Sequence, residues 1–243
     1  MLTFAEKRVM QVFYAPDIDR ERYVLDPKES RHIVRVLRMK NGDNVRLIDG
    51  KGNLYEGVIE DADQNGCAIK IEKINPNFEK RGYNLHIAIS PLKNPERLEW
   101  FVEKAVEIGI NSITPLKCDR TEKSGIKRER ISNIIISAMK QSIKSQLTEL
   151  SDQICFGEFI TKSRPGIKLI AHCDSSFERK GINEAYIKGE NATIVIGPEG
   201  DFSREEITLA LEHGYTSIHL GTSRLRTETA GIAACHSIYL LNQ

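Results

Sequence analysis

After Gly82 the chain changes rhythm, and that change limits what it can fold into. Apolar runs of strand length at 85–89, 112–116, 168–172, 193–196 and 217–220 alternate with segments of helical spacing. Such alternation specifies an α/β domain around a mostly parallel sheet, because each parallel crossover needs a helix to bring the chain back. Asn94-Pro95 opens the first helix, with Asn as cap and Pro at the first helical position. Leu98, Phe101, Val102, Ala105 and Ile108 then share one face, and Gly109 stops the helix. A long helix is expected over 128–147, with Ile131, Ile134, Ile135, Ala138 and Met139 inward. A short helix is expected near 182–188, another from a Ser203 cap to His213, and a last one from Thr227.

The residues ahead of this domain read differently. Short strands at 11–14, 44–48, 54–59 and 67–74 are separated by Asn41-Gly42-Asp43, Asp49-Gly50-Lys51-Gly52-Asn53 and Asp63-Gln64-Asn65-Gly66, all turn formers. That spacing predicts a small β-barrel, interrupted by one helix over 27–38. The breaker-rich stretch 75–82 is the expected linker, between a first domain at 10–74 and a second at 83–243. Met10 onward reads like a natural start, so residues 1–9 read as an upstream extension or a start-site choice.

Composition removes several function classes. The 35 basic and 34 acidic residues nearly cancel, so any nucleic-acid contact must come from local patches. No apolar run approaches a membrane span and no signal-peptide core opens the chain, which leads us to expect a cytoplasmic protein without a membrane partner. Cys67, Cys118, Cys155, Cys173 and Cys235 are scattered, with no C-x-x-C, as expected of reduced thiols. The pairs His172-Cys173 and Cys235-His236 lack usual ligand spacing, and no metal is expected. The P-loop, G-x-G-x-x-G, H-E-x-x-H and G-x-S-x-G patterns are all absent.

Two dense loops follow strands near the C-terminus, where an open α/β sheet builds its ligand site. In Ile196-Gly197-Pro198-Glu199-Gly200 the glycines bracket a turn that a ligand can approach closely, and Glu199 stands at the tip. Ser203 with Glu206 forms a capping box just beyond it. In Leu220-Gly221-Thr222-Ser223-Arg224-Leu225-Arg226-Thr227-Glu228-Thr229-Ala230-Gly231, Arg224 and Arg226 alternate with Leu225. Thr227 is a candidate helix cap, and Glu228 suits the positive end of the dipole. Ala230, Gly231, Ala233 and Ala234 leave the last helix a small face that another backbone can pass closely. In the first domain Arg31, Arg35 and Arg38 stand at i, i+4 and i+7, with Ile33, Val36 and Leu37 expected inward. A solvated face and a phosphate-binding face both fit that spacing. The run Lys117, Arg120, Lys123, Lys127, Arg128 and Arg130 is diluted by acids.

Together these segments resemble the RsmE family, the 16S ribosomal RNA uridine-N3 methyltransferases of the SPOUT superfamily. The resemblance rests on His32 through Gly42-Asp43, Leu98-Glu99-Trp100, Lys104-Ala105-Val106-Glu107-Ile108-Gly109, Arg120, Gln141-Ser142 and the two C-terminal loops, and it spans almost the whole chain. It implies a PUA-like β-barrel that binds RNA, followed by a SPOUT α/β domain whose C-terminal chain forms a deep trefoil knot. It also implies S-adenosylmethionine as cofactor, 16S ribosomal RNA or the small ribosomal subunit as partner, and a homodimer. The cofactor is expected against Ile196, Gly197, Gly200, Leu220, Gly221, Leu225 and Arg226. Arg226 or Arg224 is expected to meet the charge developing on the uracil, with Glu199 or Glu228 as base, and Arg31, Arg35 and Arg38 to grip phosphates. A SPOUT enzyme acting on another RNA and a non-catalytic RNA-binding assembly protein are the alternatives. The sequence departs from the family pattern at Asp201, where a further glycine is usual, at Thr222-Ser223-Arg224, and at Lys144, where arginine is typical.

Overall fold

The computed structural model describes residues 12–18, 21–122 and 125–243. The expectations that touch residues 1–11 and Lys123 lie outside the described residues. The chain forms two compact units: residues up to Lys80 together with 136–147, and residues 81–135 together with 148–243.

In the first unit, strands β1 (Val12–Tyr14), β2 (Arg22–Val24), β3 (Asn44–Ile48), β4 (Leu54–Asp61) and β5 (Ala68–Asn75) form one sheet in the order β1-β3-β4-β5-β2. Only β1 and β3 pair in parallel; the other ladders are antiparallel. The sheet curls around Phe13, Leu25, Ile33, Leu47, Ile59 and Ile69, all buried, because alternate residues of each strand face inward. The two register shifts between β4 and β5 supply part of that curl.

The expected helix at 27–38 is only half α-helical. Helix α1 (Pro27–Arg31) is capped by the Asp26 carboxylate, which accepts from the Lys28 and Glu29 N–H groups. It continues as a π turn over His32–Val36, closed by Leu37 N–H donating to the His32 carbonyl. The wider turn breaks the 3.6-residue period. Val36, expected inward, is therefore 67% exposed, and Met39 is buried instead. Arg31, Arg35 and Arg38 all remain exposed, Arg35 donating to the Gln64 side chain at 2.6 Å.

In the second unit, β6 (Leu85–Ile89), β7 (Ser112–Lys117), β8 (Glu149–Leu150), β10 (Ile167–Ala171), β11 (Lys180–Gly181), β12 (Ala192–Ile196) and β13 (Thr216–His219) lie in the order β11-β13-β10-β12-β6-β7-β8, with β9 (Ile154–Cys155) also on β7. Every ladder here is parallel. β12 is buried at each of its five positions, the signature of a strand covered on both faces. The helices are α2 (Pro95–Ile108), α3 (Arg128–Gln141), whose residues from Ile136 on belong to the first unit, α4 (Phe156–Thr161), α5 (Ile182–Ala185), α6 (Arg204–Glu212) and α7 (Thr227–Leu241). α2 packs on α7, and a side chain at Gly231 would strike the Phe101 ring at 2.6 Å. The small face of α7 is thus a packing requirement.

α3 ends at Gln141, not at Leu147. The Ser142 hydroxyl donates back to the Ala138 carbonyl at 2.7 Å, Ile143 turns left-handed at φ 56°, and Lys144 N–H closes onto the Met139 carbonyl at 3.0 Å. Side-chain competition followed by a left-handed residue is a common way to stop a helix. The short elements β2, β8, β9, β11 and α4 had no counterpart in the sequence pattern.

Candidate functional site

β10, β12 and β13 are neighbours in the sheet, and the loops leaving their carboxyl ends enclose a cavity of about 360 Å³. Its walls come from Ile196, Gly197, Ile218, Leu220, Leu225 and Ala230, and its cations are Arg97, Arg179, Arg224 and Arg226. The volume falls within the range of about 300–1,000 Å³ usual for small-molecule pockets.

The loop after β12 is held from several sides. Asp201 N–H donates to the Pro198 carbonyl at 3.0 Å, closing the turn. Asp201 itself is left-handed at φ 62°, and its carboxylate accepts from Phe202 N–H at 2.8 Å and from Cys173 N–H, on the loop after β10, at 2.7 Å. A short acidic side chain that bonds locally is among the few that tolerate this backbone region, so Asp201 can stand here with the turn closed. Arg120 donates to the Gly200 and Phe202 carbonyls at 2.8 and 3.2 Å. The Glu199 carboxylate accepts from Lys93 N–H at 3.1 Å. The Ser203–Glu206 capping box is formed, and the Glu206 carboxylate also accepts from Asp119 N–H at 2.9 Å. Burial pushes the Glu206 carboxyl above its usual range.

The loop after β13 turns at Gly221, whose φ of 107° suits glycine alone. Arg224 and Arg226 are exposed, and Arg226 is the N-cap residue of α7. Thr227 is therefore already helical and does not cap; no side chain caps this helix. The cavity-lining Thr227 and Ala230 belong to its first turn. Glu228 is buried, its Oε1 lies 3.8 Å from Arg97 Nε, and its Oε2 has no hydrogen-bond partner.

His172, at the end of β10, is buried and shares a 2.8 Å hydrogen bond with the Ser217 hydroxyl. Burial lowers its pKa, so the ring is neutral at the ordinary pH of a cell. Its carbonyl accepts from Arg179 at 2.8 Å. Cys235 is buried while His236 stacks on Tyr239, so that pair does not converge. Among the described residues no group of three or more His, Cys, Asp or Glu side chains is placed to hold a metal ion.

The fold brings Ile196, Gly197, Leu220, Gly221, Leu225, Arg226, Arg224 and Glu199 to one cavity. Gly200 and Glu228 stand outside its lining, Gly200 against the Arg120 side chain. Arg31, Arg35 and Arg38 belong to the other unit. Sequence reasoning missed Arg97 and Arg179, and weighed His172 only as half of a metal-ligand pair. His172 carried a usable signal, since it ends the apolar run of a strand whose carboxyl end faces the site. Arg97, in the first turn of a helix, carried no such signal.

Residues 79–239 match the model of an RNA methyltransferase domain, and residues 25–72 match that of an RNA methyltransferase PUA domain. The chain is 28% identical to ribosomal RNA small subunit methyltransferase E of Bacillus subtilis, over 97% of this chain and 94% of that protein. A probable rRNA-methyltransferase from Porphyromonas gingivalis superposes with a TM-score of 0.90 at 40% identity, covering 96% of this chain and 98% of that one. A putative methyltransferase from Legionella pneumophila, solved with bound cofactor SAM, superposes at 0.85 with 28% identity, covering 97% and 98%. With a curled PUA sheet ahead of an all-parallel α/β sheet of the SPOUT type, the chain belongs to the RsmE family of RNA methyltransferases.

Proposed function

We propose that this protein transfers a methyl group from S-adenosylmethionine to N3 of a uridine in 16S ribosomal RNA of the small ribosomal subunit. The observation that carries the reading is the cavity itself: glycine-rich, largely apolar walls at the carboxyl ends of β10, β12 and β13, edged by Arg224 and Arg226. Such walls suit a nucleoside sulfonium held through backbone groups, and the Legionella relative was crystallised with SAM. Ile196, Gly197, Leu220, Gly221, Leu225 and Arg226 would hold it, with Gly200 supporting the loop from behind.

S-adenosylmethionine supplies a methyl group on a positively charged sulfur, a good leaving group. The protein must remove the imide proton of the uracil and hold the ring in line. The target base leaves its stack to reach the cavity. Arg226, with Arg224, stabilises the negative charge that spreads onto the uracil carbonyls. Of the two candidate bases, Glu199 lines the cavity and Glu228 does not, so Glu199 takes the proton. Arg31, Arg35 and Arg38 grip phosphates from the PUA domain. A homodimer acting in the cytoplasm completes the reading; Trp100 and Leu240, 46% and 56% exposed on α2 and α7, favour a second copy on that helix pair.

The test is nucleoside mass spectrometry on small subunits lacking the modification, incubated with the protein and S-adenosylmethionine. N3-methyluridine is the expected product. Tight cofactor binding without product would move the target to another RNA, and no cofactor binding would favour a non-catalytic RNA-binding protein.

A further inference from the structure

Arg97 lines the cavity from the first turn of α2, far from the two motif loops in sequence but beside them in space. Its side chain is 39% exposed, and its nearest acid is Glu228, with Nε 3.8 Å from Oε1. That separation is an ion pair without a hydrogen bond. Among the described residues the Arg97 guanidinium donates to no protein acceptor at all. Glu228, in turn, is 6% exposed and has a buried Oε2 without a partner. Two observations therefore meet at one place: a planar donor fork on a cavity wall without a protein acceptor, and a buried carboxylate that faces it as an ion pair with one oxygen unpartnered. A guanidinium on a cavity wall with no protein acceptor is placed to bind an anionic group of a ligand.

We propose that Arg97, steered by Glu228, binds the carboxylate at the amino-acid end of the cofactor. The inference rests on the S-adenosylmethionine reading given above. Glu228 attracts the Nε side of the guanidinium, which leaves the two Nη groups as a fork for a second carboxylate, the geometry in which arginine binds such groups best. Arg179 is less suited, because it already donates to the His172 carbonyl at 2.8 Å. Arg224 and Arg226 are exposed at the mouth, where an incoming nucleotide would meet them. Arg97 is the more enclosed cation, as a ligand group seated inside the cavity requires. Glu228 is a positioning residue on this account and takes no proton from the substrate.

The experiment is calorimetric titration of the full chain with S-adenosylhomocysteine and, separately, with 5′-methylthioadenosine, which keeps the nucleoside thioether but lacks the amino-acid end. Arg97→Gln should weaken S-adenosylhomocysteine about 10- to 100-fold and leave 5′-methylthioadenosine within about twofold. Arg97→Lys should recover part of the loss. Glu228→Gln should also weaken S-adenosylhomocysteine, and adding it to Arg97→Gln should cost nothing further. Equal losses for both ligands would overturn the proposal, since Arg97 would then only shape the wall. Unchanged binding of both, with weaker RNA binding, would overturn it in favour of a phosphate contact. If the wild-type chain bound neither ligand, the proposal would fall together with the cofactor reading beneath it.

Discussion

Asp201 holds the turn after β12 in a left-handed backbone conformation, and replacing it separates backbone strain from hydrogen bonding. In the wild type the left-handed backbone, φ 62°, is tolerated because the carboxylate bonds the Phe202 and Cys173 N–H groups at 2.8 and 2.7 Å. Asp201→Ala removes both bonds, at about 0.5–1.5 kcal/mol each, and keeps a left-handed residue that no side-chain bond now supports. A loss of about 1–3 kcal/mol is expected. Asp201→Gly removes the same two bonds but relieves about 1 kcal/mol of backbone strain. The glycine variant should therefore be the more stable of the two. Trp100, the single tryptophan, sits on α2 in the same unit, so its fluorescence reports unfolding there. With a urea dependence of about 2 kcal/mol per molar, the two midpoints should differ by roughly 0.5 M. Both variants free the loop after β10 from the loop after β12, so both should bind S-adenosylhomocysteine more weakly than wild type. An alanine variant at least as stable as the glycine one would refute the argument, because the backbone conformation would then not be what Asp201 is chosen for.

Arg226→Ala should abolish methyl transfer with the urea midpoint unchanged, since the side chain is exposed and makes no cap; retained turnover would remove it from the mechanism. Charge reversal at Arg31, Arg35 and Arg38 should weaken RNA binding and reduce the salt slope by about 0.7–0.9 for each phosphate no longer neutralised, and an unchanged slope would leave the triplet as a solvated face. Burial, reinforced by Arg164, lowers the His86 pKa from 6.5 to about 4. The unfolded chain takes up that proton near 6.5 and the folded chain only near 4, so the contribution of this neutral ring is full above 6.5 and is lost as pH falls toward 4, by up to about 3 kcal/mol. His86→Gln should lose stability less steeply across that window, and parallel acid-unfolding curves would show that the ring does not control it.

What could be read from the sequence was what repeats or what punctuates. The five long strands of the parallel sheet, the Asn94-Pro95 start of α2 and the Ser203 cap of α6 are local patterns, and the structure keeps them to within a residue or so. β8, β9 and β11, of two residues each, carry no period and depend on neighbours far away in the chain. The segment 27–38 shows the opposite failure. Its spacing was helical, yet the core that buries Ile33 and Met39 selected a π turn that turned Val36 outward. Tertiary packing overrode a clear local signal, as propensity-level arguments allow.

The site follows the same division. A loop motif is contiguous, so Gly197, Glu199, Gly221, Arg224 and Arg226 could be nominated from the sequence and now line one cavity. A pairing across elements is not contiguous. Arg97 and Glu228 are separated by most of the domain, and only the packing of α2 on α7 brings them together. Glu228 looked like a candidate base because an acid in a dense motif suggests chemistry; it lies buried 3.8 Å from Arg97, and on our proposal it serves as the partner of that cation. Glu199 and Glu228 look alike when only the sequence is read, because both are charged and each lies in a dense motif. Solvent access separates them: a group that must gain or lose a proton during turnover needs a path to the reacting atom, and of the two acids only Glu199 lines the cavity.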